Sequence, residues 1–193
     1  MMQAYLTDLV RLSVTAPQKA ARQVIGLGLG LDALLTLLAL TTIANTVLFF
    51  VSLLLAPPEG PLPALFANPL IYAAVMAAGV LAFTVLMVRI GARMGGTGTL
   101  RDLLAVTVWL QCLRVLAQVV LLAAMVISAP IAVLLTLVVS IFGLWLFISF
   151  LQAAHGFDTP VRALVTAGLA VLALSFGLAL LLTLTGVAPP QPI

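Results

Sequence analysis

Long apolar stretches, separated by short polar or proline-rich connectors, make up most of the chain. The connectors contain helix-ending residues, as in PPEGPLP at 57–63 and SAP at 128–130. Each apolar stretch is long enough to cross the hydrocarbon core of a bilayer as an α-helix. The pattern predicts an all-α polytopic membrane protein with five transmembrane helices, at about 27–56, 69–92, 103–127, 131–153 and 161–187.

The start of the chain follows a different pattern, in which apolar residues recur at helical spacing with charged and polar residues between them. Pro17 divides this region into two short helical segments. We predict that residues 1–26 form a cytoplasmic segment of one or two amphipathic helices on the membrane surface. A disordered polar tail is the alternative. The five-helix transmembrane domain then occupies 27–187, and 188–193 form a short tail on the non-cytoplasmic side.

The composition excludes a soluble protein. Hydrophobic residues make up 64% of the 193 residues and charged residues make up 7%, against about 25% in a typical soluble domain. The mean hydropathy is +1.34. A soluble fold of this size would leave much of that apolar surface in water. The lipid bilayer is therefore the first partner that the sequence predicts.

Basic residues lie almost entirely on one side of the predicted membrane, and this distribution gives the orientation. The connectors on the other side, 57–68 and 128–130, contain neither lysine nor arginine. By the positive-inside rule the N-terminus is cytoplasmic and the C-terminus periplasmic, in a bacterial cytoplasmic (inner) membrane. So few basic residues give no reason to expect nucleic-acid binding. Those that follow the rule are Arg11, Lys19, Arg22, Arg89, Arg93, Arg101 and Arg162.

Residues that build catalytic sites are scarce. His155 is the single histidine and Cys112 the single cysteine, and the sequence has no P-loop, nucleophile elbow or HExxH motif. GLGLGLD at 26–32 has the glycines of a dinucleotide loop but lacks the preceding strand. We therefore expect no enzymatic activity, no cofactor and no metal site.

A polar stripe on the third predicted span is the main candidate for chemistry inside the membrane. Thr107, Gln111, Arg114 and Gln118 are spaced i, i+4, i+7 and i+11, so they share one helix face, and Asn45 of the first span lies at a similar depth. Placing an arginine at the bilayer midplane costs roughly 2.5–3.5 kcal/mol on insertion scales. No acidic residue lies at that depth.

Three interpretations of Arg114 remain open. The guanidinium could be satisfied inside the bundle by amides, hydroxyls and carbonyls. It could line a hydrated cavity or groove that accepts an anionic lipid headgroup or solute. It could also pair with an acidic residue of a partner subunit.

A second candidate region is a charged rim at the cytoplasmic boundary. Thr99 and Asp102 are placed to cap the third span, and Asp158, Thr159 and Pro160 are typical of a helix start. Beyond capping, such a rim could dock a partner or contact anionic lipid heads. Its predicted members are Asp32, Arg89, Arg93, Arg101, Asp102, His155, Asp158 and Arg162.

Three short motifs carry a family resemblance: TAP at 15–17, GGTGTLRDLL at 95–104 entering the third span, and LQAAHGFDTPVRAL at 151–164 after the fourth. With them, the chain resembles the bacterial branch of the Yip (Ypt-interacting protein) family of five-span membrane proteins. Eukaryotic members of that family resemble adaptors that engage Rab-type GTPases in vesicle traffic. The DLYGP motif of that branch is missing here, and Trp109 and Arg114 stand where a tyrosine and a proline often follow the glycine-rich turn. We therefore do not transfer Rab binding from the family to this chain.

From these observations we expect a non-enzymatic membrane scaffold or adaptor that associates with other membrane proteins or with itself. The alternative is a transporter or lipid-handling protein that uses the polar face around Arg114.

Overall fold

The computed structural model describes residues 2–60 and 67–184, which form α-helices joined by short connectors. The predicted tail at 188–193, the last residues of the predicted fifth span and the connector at 61–66 lie outside the described residues. The helices are α1 (Met2–Thr15), α2 (Pro17–Gly26), α3 (Leu31–Leu55), α4 (Pro69–Arg93), α5 (Leu100–Ile127), α6 (Ala129–His155) and α7 (Pro160–Leu184). The last five are long and apolar enough to span a membrane, which confirms the predicted fold class.

Local sequence signals explain where two of these helices begin. At the start of α5, the Thr99 hydroxyl accepts a hydrogen bond from the Asp102 amide at 3.2 Å, and the Asp102 carboxylate accepts one from the Thr99 amide at 3.1 Å. This reciprocal capping box satisfies two amides that the helix leaves unpaired. At the start of α4, the Asn68 side chain accepts hydrogen bonds from the Leu70 and Ile71 amides.

The five long helices form a closed ring. In order around the ring they are α3, α4, α7, α6 and α5, and each contacts its two neighbours. Helices α4 and α5 also touch across the ring, where the Thr84 hydroxyl lies 3.5 Å from the Thr107 hydroxyl. A ring of this kind has an interior face on every helix, and the polar side chains on those faces decide what the interior can bind.

Burial is concentrated at one end of the ring. Side chains are buried at the start of α5 (Leu103–Val108), at the end of α6 and at the start of α7. We call this the junction end, because α1, α2 and the connectors at 94–99 and 156–159 also lie there. At the opposite, open end, the second half of α5 and the first half of α6 expose large apolar side chains such as Val126 and Leu134. In an integral membrane protein such surfaces face lipid or other apolar helices.

Helix α2 packs against the junction end. Its buried residues Pro17, Ala20, Ala21 and Val24 recur at intervals of three and four, which places them on one face, and that face contacts α6 and α5. From the sequence we expected the apolar side of this segment to lie on the membrane surface. In the structure protein covers it, because the small alanine side chains let α2 approach the bundle closely.

Two side-chain hydrogen bonds attach the N-terminal helices to the bundle. The Gln18 amide of α2 donates to the Gln152 amide oxygen of α6 at 2.9 Å. The Trp109 indole N–H of α5 donates to the fully buried Ser13 hydroxyl of α1 at 2.9 Å. Helix α1 still exposes Tyr5, which leaves an apolar position available to the membrane surface.

Candidate functional site

The local sequence specifies the backbone conformation at the end of α6. Gly156 has a left-handed backbone with φ of +67°, which L side chains rarely adopt. The Phe157 amide donates to the Gln152 carbonyl at 3.0 Å, and the Gly156 amide donates to the Ala153 carbonyl at 3.4 Å. This pair of bonds is a Schellman motif, and it turns Phe157 back onto the bundle, where it is buried.

The glycine-rich turn after α4 binds to this helix end. The Thr97 amide donates a hydrogen bond to the His155 carbonyl at 3.0 Å. The Thr97 hydroxyl lies 3.4 Å from the same oxygen. The two segments are 58 residues apart in sequence, and both carry the motifs singled out above. The structure therefore brings the two longest motifs together in one junction.

His155 lies at the centre of this junction, with 1% of its surface exposed. Its ring stacks on Phe157 with 4.9 Å between ring centroids. On the other sides it contacts backbone at Gly91, Gly96 and Gly98: a Cβ on Gly96 would lie 2.6 Å from Nδ1, and a Cβ on Gly91 would overlap the ring. From the sequence we expected His155 to belong to a charged rim at the cytoplasmic boundary. It is buried instead, because three glycines leave a space that the imidazole fills.

The environment of His155 limits its chemistry. Neither ring nitrogen makes a hydrogen bond of normal geometry with the described residues, although the Met87 backbone carbonyl lies close to the ring. In that part of the chain no three His, Cys, Asp or Glu side chains come together to hold a metal ion. A ring enclosed in this way has no open face for a substrate. Its observed role is to fill the junction and join α4, the glycine-rich turn and α6.

The other predicted rim residues lie apart from one another. Arg101 donates to the Leu29 carbonyl at 2.6 Å and to the Gly28 carbonyl, so it joins the connector before α3 to the start of α5. Asp102 belongs to the capping box of α5. Asp158 and Arg162 form an exposed ion pair of 3.9 Å, which contributes little to stability.

Three predicted rim residues carry charges without a partner. Asp32, Arg89 and Arg93 are exposed, and their side chains form no ion pair or hydrogen bond with any residue that the structure describes. Arg89 and Arg93 stand one turn apart on α4, so they point to the same side. The rim is thus a surface with scattered charges rather than one compact cluster.

Two residues of the predicted polar stripe on α5 contact polar side chains of neighbouring helices. The Asn45 amide donates to the Thr41 carbonyl at 2.8 Å and lies 3.5 Å from the Gln111 amide oxygen. Thr107 donates to the Leu103 carbonyl and meets Thr84 of α4. Sequence reasoning missed Thr84. Counting along α4 places Thr84 near the depth of Thr107, and this match could have identified it from the sequence.

Arg114 does not join those contacts. It is exposed, and its guanidinium has no hydrogen bond or ion pair with any residue in the described ranges 2–60 and 67–184.

The position of Arg114 along and around α5 gives the direction of its side chain. It is the fifteenth of the 28 residues of α5, counting from Leu100, so it stands near the middle of the helix. At 100° per residue it is about 20° around the helix from Thr107 and about 60° from Gln111. Because those two residues contact α4 and α3, Arg114 points into the ring interior. The interpretation in which bundle groups satisfy it is therefore not what the structure shows.

A cavity of about 220 Å³ opens one turn beyond Arg114, between α3, α5 and α6. Gln118 lines it, and the Gln118 amide oxygen is buried without a hydrogen-bond partner among the described residues. Ser52 and Thr136 add hydroxyls to the lining. Sequence reasoning missed both, although polar residues near the ends of apolar spans were a usable signal.

The comparison with known families agrees with this architecture. The model of the Yip1 domain family matches residues 11–181, so the chain belongs to that family and is an integral membrane protein. No curated protein and no solved structure gives a significant match.

The close contact between Gly91 and His155 predicts a coupled effect on stability. A Cβ at Gly91 has no room beside the imidazole, so Gly91→Ala should lower the free energy of unfolding by about 1–3 kcal/mol. Gly79→Ala on the same helix is the matched control, because nothing lies within 4 Å of a Cβ there. In a His155→Ala background the cost of Gly91→Ala should shrink, since the ring is gone. Unfolding of the purified protein in detergent measures all four variants, and strictly additive effects would contradict the packing described.

Proposed function

We propose that this Yip1 domain protein is a non-enzymatic membrane scaffold, which associates with other membrane proteins or with itself. We further propose that it lies in a bacterial inner membrane with its N-terminus in the cytoplasm. The distribution of lysine and arginine supports that orientation, since all of these residues except Arg114 lie towards the junction end and the connectors 57–68 and 128–130 have none.

The observation that carries the scaffold proposal is the pair of unpartnered arginines beside a rigid junction. Arg89 and Arg93 extend from the last turns of α4, which His155 and the glycine-rich turn hold in place. Free charges on a fixed backbone favour recognition of an acidic partner segment, because little ordering is needed on binding. Arg162 differs from these two arginines, because it lies in the first turn of α7 and the Asp158 carboxylate is 3.9 Å from its guanidinium.

The scaffold proposal predicts a defined assembly that weakens when the arginine pair is removed. Chemical cross-linking in intact membranes, followed by purification in mild detergent, should give one discrete complex with itself or with another membrane protein. Arg89→Ser with Arg93→Ser should reduce its yield about three- to tenfold, as expected for two exposed charge contacts. Arg162→Ser is the matched control and should leave the yield unchanged. A chain that is monomeric and without partners under these conditions would contradict the proposal.

A second candidate function is transport or lipid handling, favoured by the position of Arg114 in the ring interior. A guanidinium that an external group can reach, near the middle of a span, is typical of a solute or lipid pathway. Reconstituted in liposomes, the wild type should then accelerate phospholipid scrambling or anion flux. Arg114→Leu should lower that rate about tenfold or more, as expected for the loss of a charge-assisted contact. A rate unchanged by Arg114→Leu would remove this role.

A further inference from the structure

The ring interior presents donors and acceptors that lack partners, and two of the groups, Arg114 and Gln118, lie one turn apart on α5. The Arg114 side chain has N–H donors only, and none of them is used among the described residues. One turn further along α5, the Gln118 amide oxygen is a buried acceptor without a partner, and so is the Asn45 amide oxygen of α3. Buried polar atoms of this kind are uncommon unless water or a ligand satisfies them.

The carboxylates of this chain do not lie at the depth of Arg114. Asp8 lies in α1 at the junction end, Asp32 and Asp102 lie in the first turns of α3 and α5, Asp158 precedes α7, and Glu59 follows α3. Arg114 is roughly 20 Å from either end of α5, at 1.5 Å per residue. A second copy with the same orientation would place its carboxylates at the same depths as the first. The negative group that Arg114 accommodates must therefore come from a different molecule.

The cavity beside this site indicates an amphiphilic molecule. Its lining includes three hydroxyl or amide side chains, and the remainder is apolar, contributed by Leu48, Leu121, Leu122, Met125 and Ala132. A small inorganic anion would leave that apolar lining without a partner. An acyl chain would cover it, as lipid covers the outer surface of the bundle.

We propose that the interior cleft between α3, α5 and α6 binds an anionic phospholipid of the phosphatidylglycerol type. The phosphate accepts hydrogen bonds from Arg114, and a headgroup hydroxyl donates to the Gln118 amide oxygen. The acyl chains lie over Leu121 and Met125 in the apolar lining of the cleft. This site does not depend on the scaffold proposal, and it requires no movement of lipid across the membrane.

Lipid retention by the purified full chain tests the proposal. Native mass spectrometry in detergent should show one tightly held phosphatidylglycerol on the wild type, which an excess of inorganic phosphate does not displace. Arg114→Leu should raise the Kd for phosphatidylglycerol about tenfold or more, and Gln118→Leu should raise it about threefold. Arg114→Lys keeps the charge and should retain most of the binding. Arg22→Leu removes an exposed arginine of α2 and is the matched control, with an unchanged Kd.

Each outcome of these binding measurements either supports or contradicts the proposed lipid site. Equal affinity of the wild type and Arg114→Leu would overturn the site, and so would equal affinity for phosphatidylcholine, which lacks the headgroup hydroxyl. Full displacement by inorganic phosphate would show a free-anion site and overturn the lipid assignment. If Arg114→Leu does not fold, Arg114→Gln and Gln118→Leu decide the same question. Cross-linked complex yield, measured in parallel, separates failure of this site from failure of the scaffold proposal.

Discussion

The packing of one imidazole against three glycine backbones is the constraint on which the rest of the structure depends. His155 ends α6, and its ring occupies the space that Gly91, Gly96 and Gly98 leave open. This contact joins the end of α4, the turn that follows it and the end of α6 at a single point. Neighbouring contacts depend on the same geometry, because Gln152, one turn earlier on α6, accepts the hydrogen bond that holds α2. Any side chain larger than hydrogen at these glycines would push the three segments apart.

The two ends of the ring differ in their interior. Helices α4 and α5 meet across the ring near the junction, through Thr84 and Thr107, whereas further along α5 Gln118 lines a cavity of about 220 Å³. Arg114 stands beyond the Thr84–Thr107 contact and is exposed, so an external group can reach it although it lies in the middle of a span. The same protein thus combines a rigid end with free surface arginines and an interior with unpartnered polar atoms. The first property supports a scaffold, and the second supports a lipid-binding cleft.

Features that depend on neighbouring residues in sequence could be predicted, and features that depend on distant segments could not. The five spans follow from long apolar runs, and the cap formed by Thr99 and Asp102 follows from residues three apart. The depth of Arg114 follows from counting along α5. Its accessibility does not, because it depends on how helices that are distant in sequence pack around α5. The burial of His155 was missed for a related reason: its enclosure needs glycines about 60 residues earlier, and a histidine beside charged residues favours an exposed rim. The partner of α2 was missed because an amphipathic face is the same whether lipid or protein covers it.

The junction between the two motif segments is the central claim, and a cysteine cross-link tests it most directly. A Cβ on Gly156 would lie 3.5 Å from the Thr97 side-chain oxygen, which is within reach of a disulfide, although the left-handed backbone at Gly156 strains any side chain there and the Gly156→Cys single variant is needed as the folding control. In a Cys112→Ala background, Thr97→Cys combined with Gly156→Cys should therefore form a disulfide in native membranes under mild oxidation. The account predicts that both thiols are lost to alkylation and return on reduction. Two thiols that stay freely alkylatable after oxidation, in a protein that is inserted and folded, would contradict it.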